Sequence, residues 1–188
     1  IITSDDVLRS SDLPARVAVI GAGAVGLEFA SYYRDLGVEV TVLEYLPAVA
    51  PLEDADISKE LEKALTKRGI KVITSARFDP AAVTVDDAGV HILVGKEGQE
   101  PWELVVDRLL VAAGRAANTD DVGLETTKAV VERTIVQVDA HMQTAEPHLY
   151  AIGDIIGGLW LAHVAAHEGI CAVHHIAGAE SEPVDYLK

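Results

Sequence analysis

The sequence predicts an α/β protein, a doubly wound parallel sheet whose last crossover is an antiparallel three-stranded meander. Three observations carry that expectation. Apolar, β-branched runs at residues 16–20, 38–43 and 70–73 alternate with stretches of helical composition. Each of those stretches closes on a glycine, Gly37 and Gly69, the residue that best accepts the left-handed backbone at a helix end. Beyond residue 80 the runs become short and are split by Asp-Asp-Ala-Gly and Lys-Glu-Gly turns, before an apolar run returns at 109–112. Strand and helix in alternation, then a meander, then a strand, is the order of a parallel sheet with crossovers.

The elements follow in order. Residues 1–14 are a polar lead-in ending at Pro14, and RVAVI (16–20) is a buried strand. A glycine turn at 21–26 leads into a helix over 27–36, and VEVTVL (38–43) is the second strand. Pro47 and Pro51 mark a loop. Residues 54–68 form an amphipathic helix with Ile57, Leu61, Ala64 and Leu65 on one face. The third strand is 70–73, the meander is 83–85, 90–94 and 102–106, and 109–112 rejoins the buried sheet. Residues 135–138 and 149–152 read as two more short strands, 161–177 as a helix and 178–188 as a polar linker. There is no internal repeat. The expected domains are 1–140 and 141–188.

Composition narrows the function. With 49% hydrophobic residues in 188, a large core can be buried. A net charge of −15 excludes the basic face that nucleic acid or an anionic membrane surface requires. It does not exclude an anionic ligand, because local backbone dipoles outweigh a distant net charge. The single cysteine, Cys171, excludes a disulfide framework and a multi-cysteine metal site, and fits a reducing, cytoplasmic setting. No apolar run reaches the roughly 18 residues of a membrane span, and no signal-peptide layout opens the chain. The start at Ile1-Ile2-Thr3 without methionine leads us to expect a piece of a longer protein.

Four motifs carry chemistry. Gly21-Ala22-Gly23-Ala24-Val25-Gly26 follows a predicted strand and opens a predicted helix. In that setting Gly21 permits the tight turn, Gly23 lets a pyrophosphate approach the backbone, and Gly26 lets helix and strand pack closely. The helix start offers N–H groups and partial positive charge to phosphates. A glycine turn without a ligand is the plainer reading, and the strand–turn–helix setting weighs against it. The pattern makes the predicted sheet Rossmann-like. Glu44 ends the second strand, where a carboxylate accepts from the hydroxyls of an adenosine ribose. A 2′-phosphate there meets like charge, and no Lys or Arg from Tyr45 to Ser58 offsets it. The third motif, LLVAAGR at 109–115 followed by Asn118, ends a strand at the carboxyl edge of the sheet. In the fourth, TAEPHLYAIGD at 144–154, a strand delivers Asp154 to a polyol hydroxyl, and Leu161-Ala162-His163 begins a helix whose first N–H groups face outward.

In this order and spacing, VAVIGAGAVGLEFA, TVLE, VAAGR, LYAIGD and LAHVAAHEG resemble the pyridine-nucleotide disulfide oxidoreductases over nearly the whole chain. LAH followed by Glu168-Gly169 looks most like the dihydrolipoyl dehydrogenase branch. The resemblance implies that residues 1–140 bind NAD(H) and that 141–188 are a strip of an FAD-binding domain. It implies an NAD turn of Gly21, Ala22, Gly23, Ala24, Val25, Gly26, Leu27 and Glu28, with Glu28 toward the nicotinamide and flavin. Glu44 takes the adenosine ribose, Phe78 stands in the place of the adenine's apolar neighbour, and Gly114 lies beside NAD. Asp154 holds the ribityl chain of FAD, and Trp160, Leu161, Ala162 and His163 lie along the flavin.

The same resemblance implies the reaction of the full-length protein. Hydride passes from dihydrolipoamide through a disulfide and FAD to NAD⁺, with lipoyl domains of 2-oxoacid dehydrogenase complexes as partners and a homodimer as the assembly. The redox cysteine pair and the first FAD glycine motif are expected upstream. The dimerisation domain, with its His-Glu acid–base pair, is expected downstream. No catalytic residue is therefore expected in this chain, and the isolated chain is expected to be inactive. Other readings stay open: a mercuric or glutathione reductase, an NADH oxidase, or a stand-alone nucleotide-binding module without catalysis.

Other residues have plainer readings. His163, His167 and Cys171 share a helical face, but HVAAHE is not the HExxH of zinc proteases, and no metal is expected. His174 and His175 suit the negative end of a helix dipole. Asp5-Asp6, Asp86-Asp87 and Asp120-Asp121 suit solvated turns, and Trp102 suits packing.

Overall fold

The computed structural model describes residues 1–180 and 182–187. Two compact units divide the chain, Ile1–Arg115 and Ala116–Lys188.

The first unit is built on a four-stranded parallel sheet. In chain order it contains α1 (Ser4–Arg9), β1 (Arg16–Ile20), α2 (Ala24–Asp35), β2 (Glu39–Leu43), α3 (Ala55–Lys67) and β3 (Lys71–Ile73). Then come β4 (Thr84–Asp86), β5 (Gly89–Lys96), β6 (Gln99–Val106) and β7 (Arg108–Val111). The sheet order is β3-β2-β1-β7, with every neighbour parallel. The chain steps outward from β1 to β3 and then returns to the other side of β1. Parallel crossovers keep one hand, so the outward steps and the return cover opposite faces.

Side-chain alternation along the strands matches this. Val17 and Val19 of β1, Val40 and Val42 of β2 and Leu110 of β7 join Leu27, Ala30 and Tyr33 of α2 and Leu65 of α3 in one core. Ala18, Leu43 and Leu109 face the other way, into a second core with Val90, Ile92, Val94 and Val106. That second core belongs to the meander β4-β5-β6, whose pairs are antiparallel, with a register shift between Val94 and Lys96. Trp102 packs against it, partly buried. The expected α/β architecture with a meander crossover is the one observed.

Asp107 pins the seam between meander and sheet. Its carboxylate accepts from the Ala15 and Arg16 N–H groups at 2.9 and 2.8 Å and from the Arg16 guanidinium at 2.7 Å. That guanidinium hydrogen bond, foremost, holds the Asp107 carboxyl below the usual carboxylate range.

Three elements differ from the sequence expectation. The lead-in contains α1, opened by Thr3, whose N–H and hydroxyl both donate to Asp6 at 2.8 Å. With Val7 alone buried, α1 leaves no apolar periodicity to read. Just before it, Ile2 bridges Leu110 and extends the sheet beside β7. In the second unit the strand expected at 135–138 shrinks to β9 (Ile135–Val136), paired with β8 (Val131–Glu132). The link between them, Arg133 and Thr134, has φ of 50° and 78°, the left-handed pair of a tight hairpin turn. Residues 149–152 form no strand. One bridge, Gln143 to Tyr150, is all the pairing they make among the described residues. The expected terminal helix is α4 (Ala162–Ile176). Of the expected linker at 178–188, Ser181 and Lys188 lie outside the described residues.

His91 on β5 joins the meander's edges, with Nε2 2.9 Å from Asp86 and Nδ1 3.1 Å from Glu103. Its hydrogen bond to Asp86, then that to Glu103, raises its pKa above the ordinary 6.5, while the same contact lowers that of Asp86. A raised folded-state pKa stabilises fully below the unfolded value, and the effect is lost as pH rises through the folded one. Wild type should therefore exceed His91→Gln in unfolding free energy at about pH 5, and the gap should close toward about pH 9. Denaturant titrations of both proteins across that range measure it. A gap that is constant or widens with pH contradicts the assignment.

Candidate cofactor-binding site

The sheet reverses its winding at β1, and ligands of such sheets bind beyond the carboxyl ends of the strands at that point. The glycine turn occupies that edge. Gly21 has φ of 99°, its N–H donates to the Leu43 carbonyl at 2.9 Å, and an added Cβ would lie 2.5 Å from the Ala112 oxygen. A Cβ on Gly26 would collide with the Gly21 carbonyl oxygen, so α2 can sit this close to the turn only with hydrogen there. Gly23 differs: its φ is −76° and an added Cβ would meet nothing within 4 Å. Gly23 is also the N-cap of α2 and supplies no side-chain acceptor to the first N–H groups of the helix. Two glycines thus serve the turn, and the third opens space before a positive helix end.

Glu44 is not a solvated strand-end residue. It is 7% exposed, and each carboxylate oxygen accepts a backbone N–H: Oε2 from Ala22 at 2.6 Å and Oε1 from Leu46 at 2.7 Å. Its own N–H donates to Ile73 and its carbonyl accepts from Ala76. The side chain therefore braces the glycine turn against β2. A carboxylate offers about four lone-pair sites, so acceptor capacity remains on both oxygens.

The other expected residues of this unit are more varied. Ala24 and Glu28 lie exposed on α2, Val25 is half-buried and Leu27 is core. Gly114 is exposed, with φ of 117°. Phe78 is half-buried against the meander core.

Two features of this edge escaped sequence reasoning. The loop after Glu44 supports the turn: the Ala50 N–H donates to the Ala22 carbonyl at 2.7 Å, with Val49 fully buried. A cation also stands close by. The Arg77 guanidinium lies 3.9 Å over the Tyr45 ring and donates to the Tyr45 carbonyl at 2.8 Å. A scan of 45–58 cannot see a residue that comes back on a later segment. Among the described residues no ion pair joins Arg77 to Glu44.

In the second unit Asp154 is exposed on the tight turn Gly153–Ile156. Trp160 is half-buried, with φ of 53°. Leu161 caps α4 without a side-chain hydrogen bond, and Ala162 and His163 open the helix, both exposed. Sequence reasoning assigned no role to Glu168, which is 2% exposed. Its Oε2 accepts from the Gly153 N–H at 2.7 Å and its Oε1 from the Tyr186 hydroxyl at 3.0 Å. Burial, then Glu168, pushes the Tyr186 pKa up to about 12. Cys171 is buried mid-helix, with Sγ donating to the Glu182 carbonyl at 3.4 Å. Among the described residues no three His, Cys, Asp or Glu side chains gather into a possible metal site. No helix among them is long and apolar enough to cross a membrane.

Comparison with known proteins places the chain in a family. The family model described as pyridine nucleotide-disulphide oxidoreductase matches residues 1–169. A dihydrolipoyl dehydrogenase of Bacillus subtilis is 45% identical over 185 residues, covering 98% of this chain and 39% of the relative. That of Mycobacterium leprae is 42% identical, covering 96% and 38%. Among solved structures, LpdA of Mycobacterium tuberculosis superposes with a TM-score of 0.83 at 33% identity, covering 98% of this chain and 39% of that one. The flavoprotein disulfide reductase RclA of Escherichia coli gives 0.85 at 27% identity, covering 97% and 40%. The chain thus spans about two-fifths of the length of these relatives.

The glycine geometry predicts unequal costs. Gly26→Ala should lower the unfolding free energy by about 3 kcal/mol, because backbone cannot yield to the new Cβ. Gly23→Ala should cost at most about 1 kcal/mol, the difference between the two residues as caps. Urea unfolding of the two variants compares them, and equal losses contradict the division of roles.

Proposed function

The chain belongs to the pyridine nucleotide-disulphide oxidoreductase family, whose members use FAD and NAD(H), and on that premise we propose that it is the NAD(H)-binding part of a dihydrolipoyl dehydrogenase. In this reading residues 1–140 bind the dinucleotide and residues 141–188 contribute a strip of the flavin site. The compact units themselves divide earlier, at Arg115.

The observation that carries the proposal is the carboxylate of Glu44 seated against the glycine turn. One side chain fixes the turn and keeps acceptor capacity at the place where the adenosine ribose comes. The pyrophosphate then lies over Gly23, where there is open space, and the uncapped start of α2 supplies N–H donors and partial positive charge. Glu28 projects from the next turn of α2, on the nicotinamide side. Gly114, where an added Cβ would meet nothing within 4 Å, lies beside the dinucleotide.

The flavin-side residues fit a flavin. Asp154 is an exposed acceptor for a polyol hydroxyl, and the uncapped start of α4 at Leu161–His163 offers donors. Bound FAD supplies the relay of two electrons and a proton as hydride to the nicotinamide. This chain's own part is to hold the two cofactors, because reduction of a disulfide needs a cysteine pair and the sequence has one cysteine. By itself it should not oxidise dihydrolipoamide. Lipoyl domains as partners, a homodimer and a cytoplasmic setting belong to the same proposal for the longer protein. The likeness to RclA, at a TM-score of 0.85, favours a second reading as another flavoprotein disulfide reductase.

Cofactor choice tests the proposal. A 2′-phosphate would stand beside the Glu44 carboxylate, and lost hydrogen bonds to a charged group amount to about 1.5–3 kcal/mol. Calorimetric titration should therefore show NADH binding on the order of a hundredfold tighter than NADPH. Glu44→Gln removes the charge, keeps an acceptor for only one of the Ala22 and Leu46 N–H groups, and should narrow the preference to roughly tenfold. Equal wild-type affinities would sink the role given to Glu44.

A further inference from the structure

Glu168 stands apart from the residues of the proposed cofactor sites, yet it is among the most buried charged side chains of the described chain, at 2% exposed. A buried carboxylate is costly unless its charge is hydrogen-bonded. No Lys or Arg pairs with it among the described residues. What it has are two directed donors, the Gly153 N–H at 2.7 Å and the Tyr186 hydroxyl at 3.0 Å. An alanine or leucine would fill this place in α4 at lower cost, so the carboxylate is explained by direction rather than by packing.

The surrounding contacts show what is directed. Ile152 arrives extended, with φ −142° and ψ 164°, and Gly153 turns the chain at φ 73° into the tight turn that carries Asp154. An added Cβ on Gly153 would lie 3.3 Å from the Ala165 Cβ, and one on Gly169 would lie 3.3 Å from the Ile152 Cδ1. Ala165, Glu168 and Gly169 therefore form one face of α4 pressed on residues 152–153, since residues three and four apart are neighbours on a helix. The small residues permit the approach but leave the rotation of the Gly153 peptide unset. Only Glu168 on that face carries an acceptor that sets it. Tyr186 fixes the carboxylate from its other oxygen, to which its hydroxyl donates at 3.0 Å.

We propose that Glu168 is the positioning residue of the flavin-side turn: held by Tyr186, its carboxylate orients the Gly153 peptide and thereby the direction in which Asp154 presents its own carboxylate. The proposal rests on the reading of Asp154 as a polyol acceptor, and its test separates the two. Gly153 amide exchange is followed by NMR in the 188-residue chain and in Glu168→Ala, Glu168→Gln and Tyr186→Phe. FAD is titrated, with flavin fluorescence as the readout, into the same variants and Asp154→Ala of the longer protein, which carries the rest of the flavin site. Losing a bond to a charged acceptor should speed Gly153 exchange and weaken FAD binding by about tenfold or more in Glu168→Ala, with the other amides of α4 little changed. Glu168→Gln keeps a carbonyl for the Gly153 N–H and should stay within about threefold of wild type, with Tyr186→Phe between the two. Wild-type exchange at Gly153 in Glu168→Ala, a glutamine variant as fast as alanine, or equal FAD titrations of wild type and Glu168→Ala would each overturn the proposal. Unaltered FAD affinity in Asp154→Ala of the longer protein would instead remove the flavin reading of that turn, while Gly153 exchange would still decide whether Glu168 orients it.

Discussion

β1 is buried on both faces, and the first unit depends on that constraint. A strand covered on both sides must be apolar at every central position, and Val17, Ala18 and Val19 are all fully buried. Its neighbours must also be parallel, because the connections that return to them are long enough to cover a face. Helices α2 and α3 take one side and the meander takes the other. The strand then has nowhere to end but the carboxyl edge, where its last residue gives way to Gly21. The edge that carries the glycine turn is therefore a by-product of how the core is closed.

At that edge the problem changes from burying apolar surface to satisfying polar groups. A turn built of glycines leaves N–H groups pointing into a crevice, and each must find an acceptor. Glu44 answers for Ala22 and Leu46, and the Ala22 carbonyl takes Ala50. At the start of α2 the N-cap, Gly23, supplies no side-chain acceptor. Acceptors within the protein and a place for acceptors from outside thus lie side by side, and the negative net charge of the chain matters little at this range. Arg77 is engaged with Tyr45, the residue that follows Glu44.

The second unit holds its polar turn by a different device. There the acceptor comes from a helix rather than from a strand end. Glu168 reaches the Gly153 peptide, and Tyr186 holds Glu168. Both units therefore use one buried carboxylate to set a glycine-containing turn, Glu44 at residue 22 and Glu168 at residue 153. In both, the residues that meet solvent are presented by a backbone fixed from within.

The sequence by itself determined the sheet, the two crossover helices, the meander and the glycine turn. Those features rest on local signals: runs of β-branched residues, a helical apolar face closed by glycine, and turn residues at short spacing. It also singled out Glu44, because a carboxylate at a strand end beside a glycine turn is visible along the chain, and Asp154, because it follows a glycine after an apolar run. It missed α1, whose single buried residue leaves no period, and it overextended the strands near 135 and 149, the first of which pairs only over Ile135–Val136 and the second of which makes a single bridge. Only the tertiary structure decided that Glu44 is a brace, that Arg77 stands over Tyr45 and that Glu168 grips Gly153. Each of these joins residues from 15 to 32 positions apart. A hydrogen bond depends on where two atoms meet in space, and no local pattern of residue types records that meeting.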